Sequence, residues 1–522
     1  MLSDRIDKCP NMKIKGKILY HWPGNGIDDS LRFYHPSQFS KDPYDIVIVG
    51  AGLVGCALAY KLSQFQLRVL LIDKEYFVGE ATSKANSALL ITGFDTDPGS
   101  LETKLCIEAS GQWPELCQRL KIPYEPSGSI LAALENKEFS VLKDIHKLAL
   151  INGVDDIQVM TGSEVRKLEP NINPRVQAGI YSPREAIADP FTAAISFAEV
   201  SLINGADILL GTEIIGVENN SGTLKSLKTT NGHCIKTHIM INACGLGSRE
   251  LADQYSGESF DINPRRGQFL ILDKSSRSLV NSILFPVPDP IKGRGILVIP
   301  TIYGGLLVGP TAEDLPYGTK NPTVTTLEVL RTLLPHASRL CPSITTQPVI
   351  GFYAGARCNC AQGSYIIRYN DGLPGIVTIT GIRSTGFTTC ITLADYLIEG
   401  MVKACGLKLI QNPDAVDTRP ETSWPGWWKK KYDDDELIKK QPEYGRMVCA
   451  CELISHRDII DALNSPLKPS TLNAIKRMTL AQMGRCQGFG CQIQIAEIIS
   501  KHCGISLNKI TLNGPGSELV AA

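Results

Sequence analysis

Tyr44-Asp45-Ile46-Val47-Ile48-Val49-Gly50-Ala51-Gly52-Leu53-Val54-Gly55 decides how this chain folds. The β-branched run has the composition of a strand buried on both faces. It leads directly into three spaced glycines and a helical stretch reaching about residue 64. A second strand, 68–72, ends at Asp73. The unit is β-turn-α-β, so the expected class is α/β with a Rossmann-like nucleotide domain. Each glycine has its own reason. Gly50 permits the tight strand-to-helix turn, Gly52 lets a pyrophosphate approach the backbone, and Gly55 lets helix pack on strand. The helix N-terminus offers the phosphates free N–H groups and a positive dipole end. Asp73 is positioned to accept ribose hydroxyls. The glycine spacing alone is a weak signal; the strand before it and the acid after it make it a nucleotide site.

Further along, strands are expected at about 208–218, in two ribbons joined at Asn231-Gly232, and in the buried run Ile239–Gly245. A last strand, Ile376–Thr380, leads through Gly381 to a helix at about 387–402. Between these pieces lie two insertions, about 105–185 and 260–350, the second rich in strands and turns. They read as one discontinuous β-rich substrate domain. The expected organisation is an N-terminal extension (1–43), a nucleotide-binding domain with its insertions (44–405), a linker (406–443), a small helical cysteine-bearing domain (444–505) and a loose tail (506–522). Trp424-Pro425-Gly426-Trp427-Trp428 in the linker suits pinning it to the body of the protein, and the charges at 429–436 suit a solvated surface.

Composition narrows the function. Lys+Arg and Asp+Glu are 53 each, so nothing in the charge points to nucleic acid or an anionic membrane. No apolar run approaches the roughly twenty residues needed to span a bilayer. The first ten residues carry acids and no apolar core, so no secretory signal is read there. Sixteen cysteines, mostly scattered singly among apolar residues, indicate buried small hydrophobes in a reducing compartment. The cytoplasm is the expected location, with the mitochondrial matrix as the alternative.

Four cysteines stand apart from that scatter: Cys449-Ala450-Cys451 and Cys486-Gln487-Gly488-Phe489-Gly490-Cys491. Four thiolates can bind zinc or a [2Fe–2S] cluster. Zinc knuckles usually use C-x2-C pairs in glycine-rich turns, whereas these pairs flank helical stretches for which Ser455 and Ser470 are the expected caps. Cys358 and Cys360 form another C-x-C, with no second pair nearby.

The glycine fingerprint, the segment Gly79-Glu80-Ala81-Thr82-Ser83-Lys84-Ala85-Asn86-Ser87, the strand ending Asn242-Ala243-Cys244-Gly245, and Gly381-Ile382-Arg383-Ser384-Thr385-Gly386 together resemble the D-amino-acid oxidase/glycerol-3-phosphate dehydrogenase superfamily of FAD enzymes. The likeness covers about residues 44–405. The cysteine region resembles the bacterioferritin-associated-ferredoxin type of [2Fe–2S] domain. The combination is most similar to the large subunit of anaerobic glycerol-3-phosphate dehydrogenase and to its hydroxyproline- and amino-acid-oxidising relatives. The resemblance implies FAD held by Gly50, Gly52, Gly55, Asp73, Ser83, Asn86, Ser87, Ala243, Gly245, Gly381, Thr385 and Gly386. It implies a cluster on Cys449, Cys451, Cys486 and Cys491. A helix beginning near Thr385-Gly386 would aim its positive end at the flavin pyrimidine edge and stabilise charge on the reduced ring.

Arg357 and Arg383 are the candidate catalytic residues, since a guanidinium fork binds carboxylate or phosphate bidentately. Arg265 and Arg266 suit a strand edge better. One departure matters: where relatives carry a histidine, Ser87-Ala88-Leu89-Leu90-Ile91-Thr92-Gly93 has Ile91, which cannot take a proton. Hydride removal from an alcohol needs a base, while an amine sheds its proton more easily, so an amino or imino acid gains ground as substrate. The reading is an FAD dehydrogenase for a small anionic substrate, an amino or imino acid, a 2-hydroxy acid or glycerol 3-phosphate. A flavin takes electrons in pairs and a cluster passes them singly, so the expected partner is an electron-acceptor protein or subunit. A flavin oxidase and a non-catalytic redox protein are the alternatives, and oligomeric state is open.

Overall fold

The computed structural model describes residues 14–20, 42–288, 295–361, 363, 365–420 and 424–520. Its centre is a nine-stranded sheet whose parallel strands run Ile18–Tyr20, Asp207–Leu210, Val69–Ile72, Tyr44–Val49 and Cys234–Asn242 in spatial order. The outer half of Cys234–Asn242 pairs with antiparallel ribbons, and its inner half, Met240–Asn242, pairs in parallel with Ile376–Thr380. Central strands buried on both faces require cover on each. Helices Leu53–Leu62, Pro190–Asn204 and Gly386–Cys405 supply one layer and pack on one another.

The helix Leu101–Leu120 belongs to this layer, although its sequence position falls at the start of the first insertion. Trp113 meets Phe387 edge-on with ring centroids 5.1 Å apart, and its Nε1–H donates to the Thr388 carbonyl at 2.8 Å. The expected single strand at 208–218 is two, Asp207–Leu210 and Ile214–Asn220. Gly211 stands between them at φ 69, and the N–H groups of Gly211 and Thr212 donate to the carbonyls of Glu75 and Asp73. There the chain leaves the parallel sheet for the ribbons.

A second nine-stranded sheet takes Ser129–Ala133, Gln158–Thr161 and Ala178–Ser182 from one stretch of sequence, and six strands between Ile262 and Cys360 from another. The two stretches join where Ile283–Pro286 runs parallel to Ser129–Ala133. Ile262–Leu272 and Val349–Cys360 pair antiparallel along almost their whole length.

At the C-terminal end, Ser455 caps His456–Leu463 in a capping box with Asp458. The helix Leu472–Thr479 is capped by Thr471, whose hydroxyl accepts from the Ala474 N–H, and not by the expected Ser470. Residues 510–519 fold back on these helices, with the N–H groups of Leu472 and Asn473 donating to the carbonyls of Thr511 and Leu512. Among the described residues no helix is long and apolar enough to cross a membrane.

Candidate active site and cysteine site

A cavity of about 1560 Å³ opens between the two sheets. One wall is the glycine turn. Gly50 has φ 111, and a Cβ built there would lie 2.4 Å from the Ala243 carbonyl oxygen, so no side chain fits the crossing of the two strands. A Cβ at Gly55 would lie 1.8 Å from the Gly50 oxygen; that glycine serves helix-on-strand packing and does not line the cavity. Asp73 is half-buried against the turn and accepts from the N–H groups of Ala51 at 2.5 Å and Glu75 at 2.9 Å. Burial above all pushes its carboxyl up from 3.8 to about 6, against those two N–H bonds.

The next wall is the loop Ala81–Ser87. Ser83 Oγ accepts from the Leu53 N–H at 2.9 Å, so it stitches the loop to the start of the turn's helix. Asn86 donates to the Ser83 carbonyl at 2.7 Å and accepts from the Ala88 N–H at 2.6 Å, bracing the segment from inside. Ser83, Asn86, Ser87, Ala243, Gly245, Gly381, Thr385 and Gly386 all line the cavity, together with Gly50, Gly52 and Asp73. The twenty-residue helix Gly386–Cys405 begins at the cavity with Thr385 as its N-cap, where the sequence places its start.

Both candidate arginines border the same space. Arg357, on the strand Val349–Cys360, donates from Nη2 to the Thr311 carbonyl at 3.2 Å. Arg383 is engaged otherwise: it forms an ion pair with the nearly buried Glu102, which also accepts from Thr385 Oγ1 at 2.8 Å. Glu102 lies in the helix Leu101–Leu120 and matches no motif, so only the fold reveals it at the site. Phe269 and Phe285 are further cavity residues with no sequence signal. Arg265 and Arg266 pair with Asp314 and Glu313 across a strand edge. Ile91 lines the cavity, its N–H donating to Thr388 Oγ1 at 3.0 Å. Cys358 lines it too; the Cys360 thiol beside it and Thr380 Oγ1, 3.2 Å away, hold the Cys358 thiol down to about 7.

The four C-terminal cysteines meet as two couples, Cys449 with Cys491 and Cys451 with Cys486. Among the described residues no three His, Cys, Asp or Glu side chains converge on one ion. The thiols also act on one another across the couples, Cys449 on Cys451 and Cys486, and Cys486 on Cys491, and such a set of four would hold a two-iron cluster with two thiolates for each iron. Backbone N–H groups are aimed at the sulfurs. The Cys449 thiol is held down to about 6, first by the Cys491 thiol and then by the N–H groups of Gln482 and Glu452. The Cys486 thiol is lowered first by the Gly490 N–H. Such donors stabilise thiolate and would tune a bound cluster.

The cysteine domain is fastened to the cavity wall. Arg477 is buried and ion-paired with Glu80, which opens the Ala81–Ser87 loop and also holds Lys84. Asp273 accepts two bonds from Arg485, and Lys274 donates to Glu452 at 2.7 Å. The linker is pinned as expected: Trp427 Nε1–H donates to the buried Asp189 at 3.0 Å, and Tyr303 donates to the same carboxylate.

Comparison with known proteins agrees with this geometry. Residues 45–399 match the FAD dependent oxidoreductase family, and residues 447–501 match the BFD-like [2Fe-2S] binding domain. The chain is similar to a glycerol 3-phosphate dehydrogenase of Caloramator mitchellensis, 31% identical over 91% of this chain and 98% of that one. It is similar to the mitochondrial L-2-hydroxyglutarate dehydrogenase of Caenorhabditis elegans, 33% identical over 52% of this chain and 63% of that one. Among solved structures it resembles dithionite-reduced L-alpha-glycerophosphate oxidase from Mycoplasma pneumoniae with FAD bound. That likeness has a TM-score of 0.67 and 29% identity, covering 72% of this chain and 98% of the other.

Proposed function

This chain belongs to the FAD dependent oxidoreductase family and binds FAD and a [2Fe–2S] cluster, and from that premise we propose that it is a dehydrogenase for a small anionic substrate, with glycerol 3-phosphate the leading member of the class. One observation carries the reading: a single cavity has the glycine turn on one side, Arg357 on the other, and the cysteine domain clamped by Arg477 to the loop between them. When bound, FAD supplies a two-electron acceptor and the cluster a one-electron relay. The chain's own residues supply the rest. Arg357 binds the phosphate or carboxylate and orients the carbon to be oxidised. The Arg383–Glu102 pair buttresses the helix N-terminus beside it. Phe269, Phe285 and Ile91 give the cavity apolar surface. Ile91 offers no base, so amino and imino acids stay within the proposed class. The relative spanning nearly the whole chain favours the phosphorylated alcohol.

The test is anaerobic titration of the holoprotein with glycerol 3-phosphate, 2-hydroxyglutarate, proline and hydroxyproline, followed by visible absorbance. Flavin bleaching and then loss of cluster absorbance is the expected result with glycerol 3-phosphate. Arg357→Met should raise the concentration required about a hundredfold, the equivalent of about 3 kcal/mol. If dithionite bleaches both chromophores and none of the four compounds does, the proposal fails. Peroxide formed under air in place of cluster reduction would mark an oxidase.

Asp73 gives a second check. Its ionised carboxylate is the form that accepts ribose hydroxyls, and it protonates as pH falls through about 6. FAD affinity should therefore hold above that pH and drop about tenfold between pH 7 and pH 5. Equilibrium dialysis of the apoprotein against FAD measures it, and Asp73→Asn should bind weakly at both pH values.

A further inference from the structure

The two cysteine couples differ in access. Cys449 and Cys491 are buried, while Cys451 and Cys486 are exposed, so one end of the site faces the protein and the other faces solvent. The apolar residues beside the open end are exposed as well. Phe489, between Cys486 and Cys491, is 97% exposed; Leu453, two residues after Cys451, is 41% exposed; Ile493, two after Cys491, is 55% exposed. The same small domain buries Ile459, Leu472 and Ile495 completely, so these three are not the overflow of a poor core. Leu453 at φ 56 and Gln487 at φ 51 hold a left-handed backbone conformation that is costly for leucine and glutamine, and both loops keep it while leaving apolar side chains outside.

Charge borders the same face in a definite sense. Arg485, its side chain 71% exposed, covers Asp273 at 9%, and Lys274 at 48% covers Glu452 at 5%. The acids lie beneath and the bases point outward.

We propose that the face centred on Phe489 docks an acidic one-electron carrier protein, so that electrons leave at the Cys451/Cys486 end. An exposed aromatic anchor within a charged rim is the usual make-up of a specific interface. One electron crosses per encounter, the carrier being reduced and the holoprotein oxidised, so two encounters follow each two-electron oxidation. The inference rests on the reading of a dehydrogenase that hands electrons on through its cluster.

The probe is the soluble domain of cytochrome b5, an acidic haem carrier, with basic cytochrome c as control. Binding to oxidised holoprotein is measured by thermophoresis at low and high salt. Electron transfer is measured by stopped flow from photoreduced holoprotein, which needs no organic substrate. Phe489→Ser and the double variant Phe489→Ser/Ile493→Ser are expected to weaken binding at least tenfold and to slow transfer in step. Ferricyanide reduction and the cluster's paramagnetic resonance spectrum should stay unchanged. Raised salt should weaken wild-type binding, and cytochrome c should not bind saturably. No saturable binding of the acidic carrier, unaltered binding in both variants, or a wild-type dimer that dissociates on Phe489→Ser would each overturn the proposal; in the last case a second copy covers the face. Failure of every organic substrate would sink the dehydrogenase reading yet leave these measurements intact.

Discussion

Gly50→Val is expected to purify as a folded protein with almost no flavin. At φ 111 the Gly50 backbone lies where a side chain is strained whatever the space, and there is no space: a Cβ would stand 2.4 Å from the Ala243 carbonyl oxygen. Both strand ends must part to admit a branched side chain, and they form the wall of the cavity where the pyrophosphate is proposed to rest. An affinity loss of at least a hundredfold, about 3 kcal/mol, is expected. The flavin-to-protein absorbance ratio reads it on purification, and fluorescence titration of apoprotein with FAD gives the constant. Gly52→Ala is the contrast. Its Cβ would meet Ser83 Oγ at 2.9 Å, the end of a rotatable side chain, so the effect should be several times smaller. Full flavin content in Gly50→Val would show that the turn is not the cofactor's seat.

Arg419→Leu should cost about 3–5 kcal/mol of stability. Arg419 is buried, holds the fully buried Glu199 through Nε at 2.7 Å, donates from Nη2 to the Trp424 carbonyl at 2.7 Å, and stacks over the Trp424 ring. Removing it strands a carboxylate in the helix Pro190–Asn204 and frees the segment that joins the two cofactor domains. The pH dependence has a fixed sign. Burial raises the Glu199 carboxyl above its ordinary value even with Arg419 beside it. In Arg419→Leu the ionised form is therefore penalised at neutral pH, and the deficit should shrink as pH falls and Glu199 takes up a proton. The double variant Glu199→Leu/Arg419→Leu should recover most of the loss, because no buried charge is left unpaired. Urea midpoints at pH 8 and pH 5.5, with the slope compared between variants, measure all three. A single variant as stable as the parent at pH 8 would refute the argument.

Features that depend on near neighbours along the chain are legible in the residues without a structure. Val49-Gly50-Ala51-Gly52 could be read because a strand, a left-handed glycine and a helix start are all written within a dozen residues. The cysteine motif could be read because its two pairs sit in short loops whose small residues leave N–H groups facing inward. The glycine turn, the α/β class and the presence of a cysteine-bearing domain were legible for that reason. The tertiary structure alone decided what requires partners hundreds of residues apart. It couples Glu102 to Arg383, buries Arg477 on Glu80, and turns Leu101–Leu120 from an insertion into part of the nucleotide layer. An isolated arginine in a polar stretch has the same local appearance whether it meets water, substrate or a buried acid. Its environment is set by packing between distant segments, where the free energy of an ion depends on which charge and how much water the fold leaves beside it.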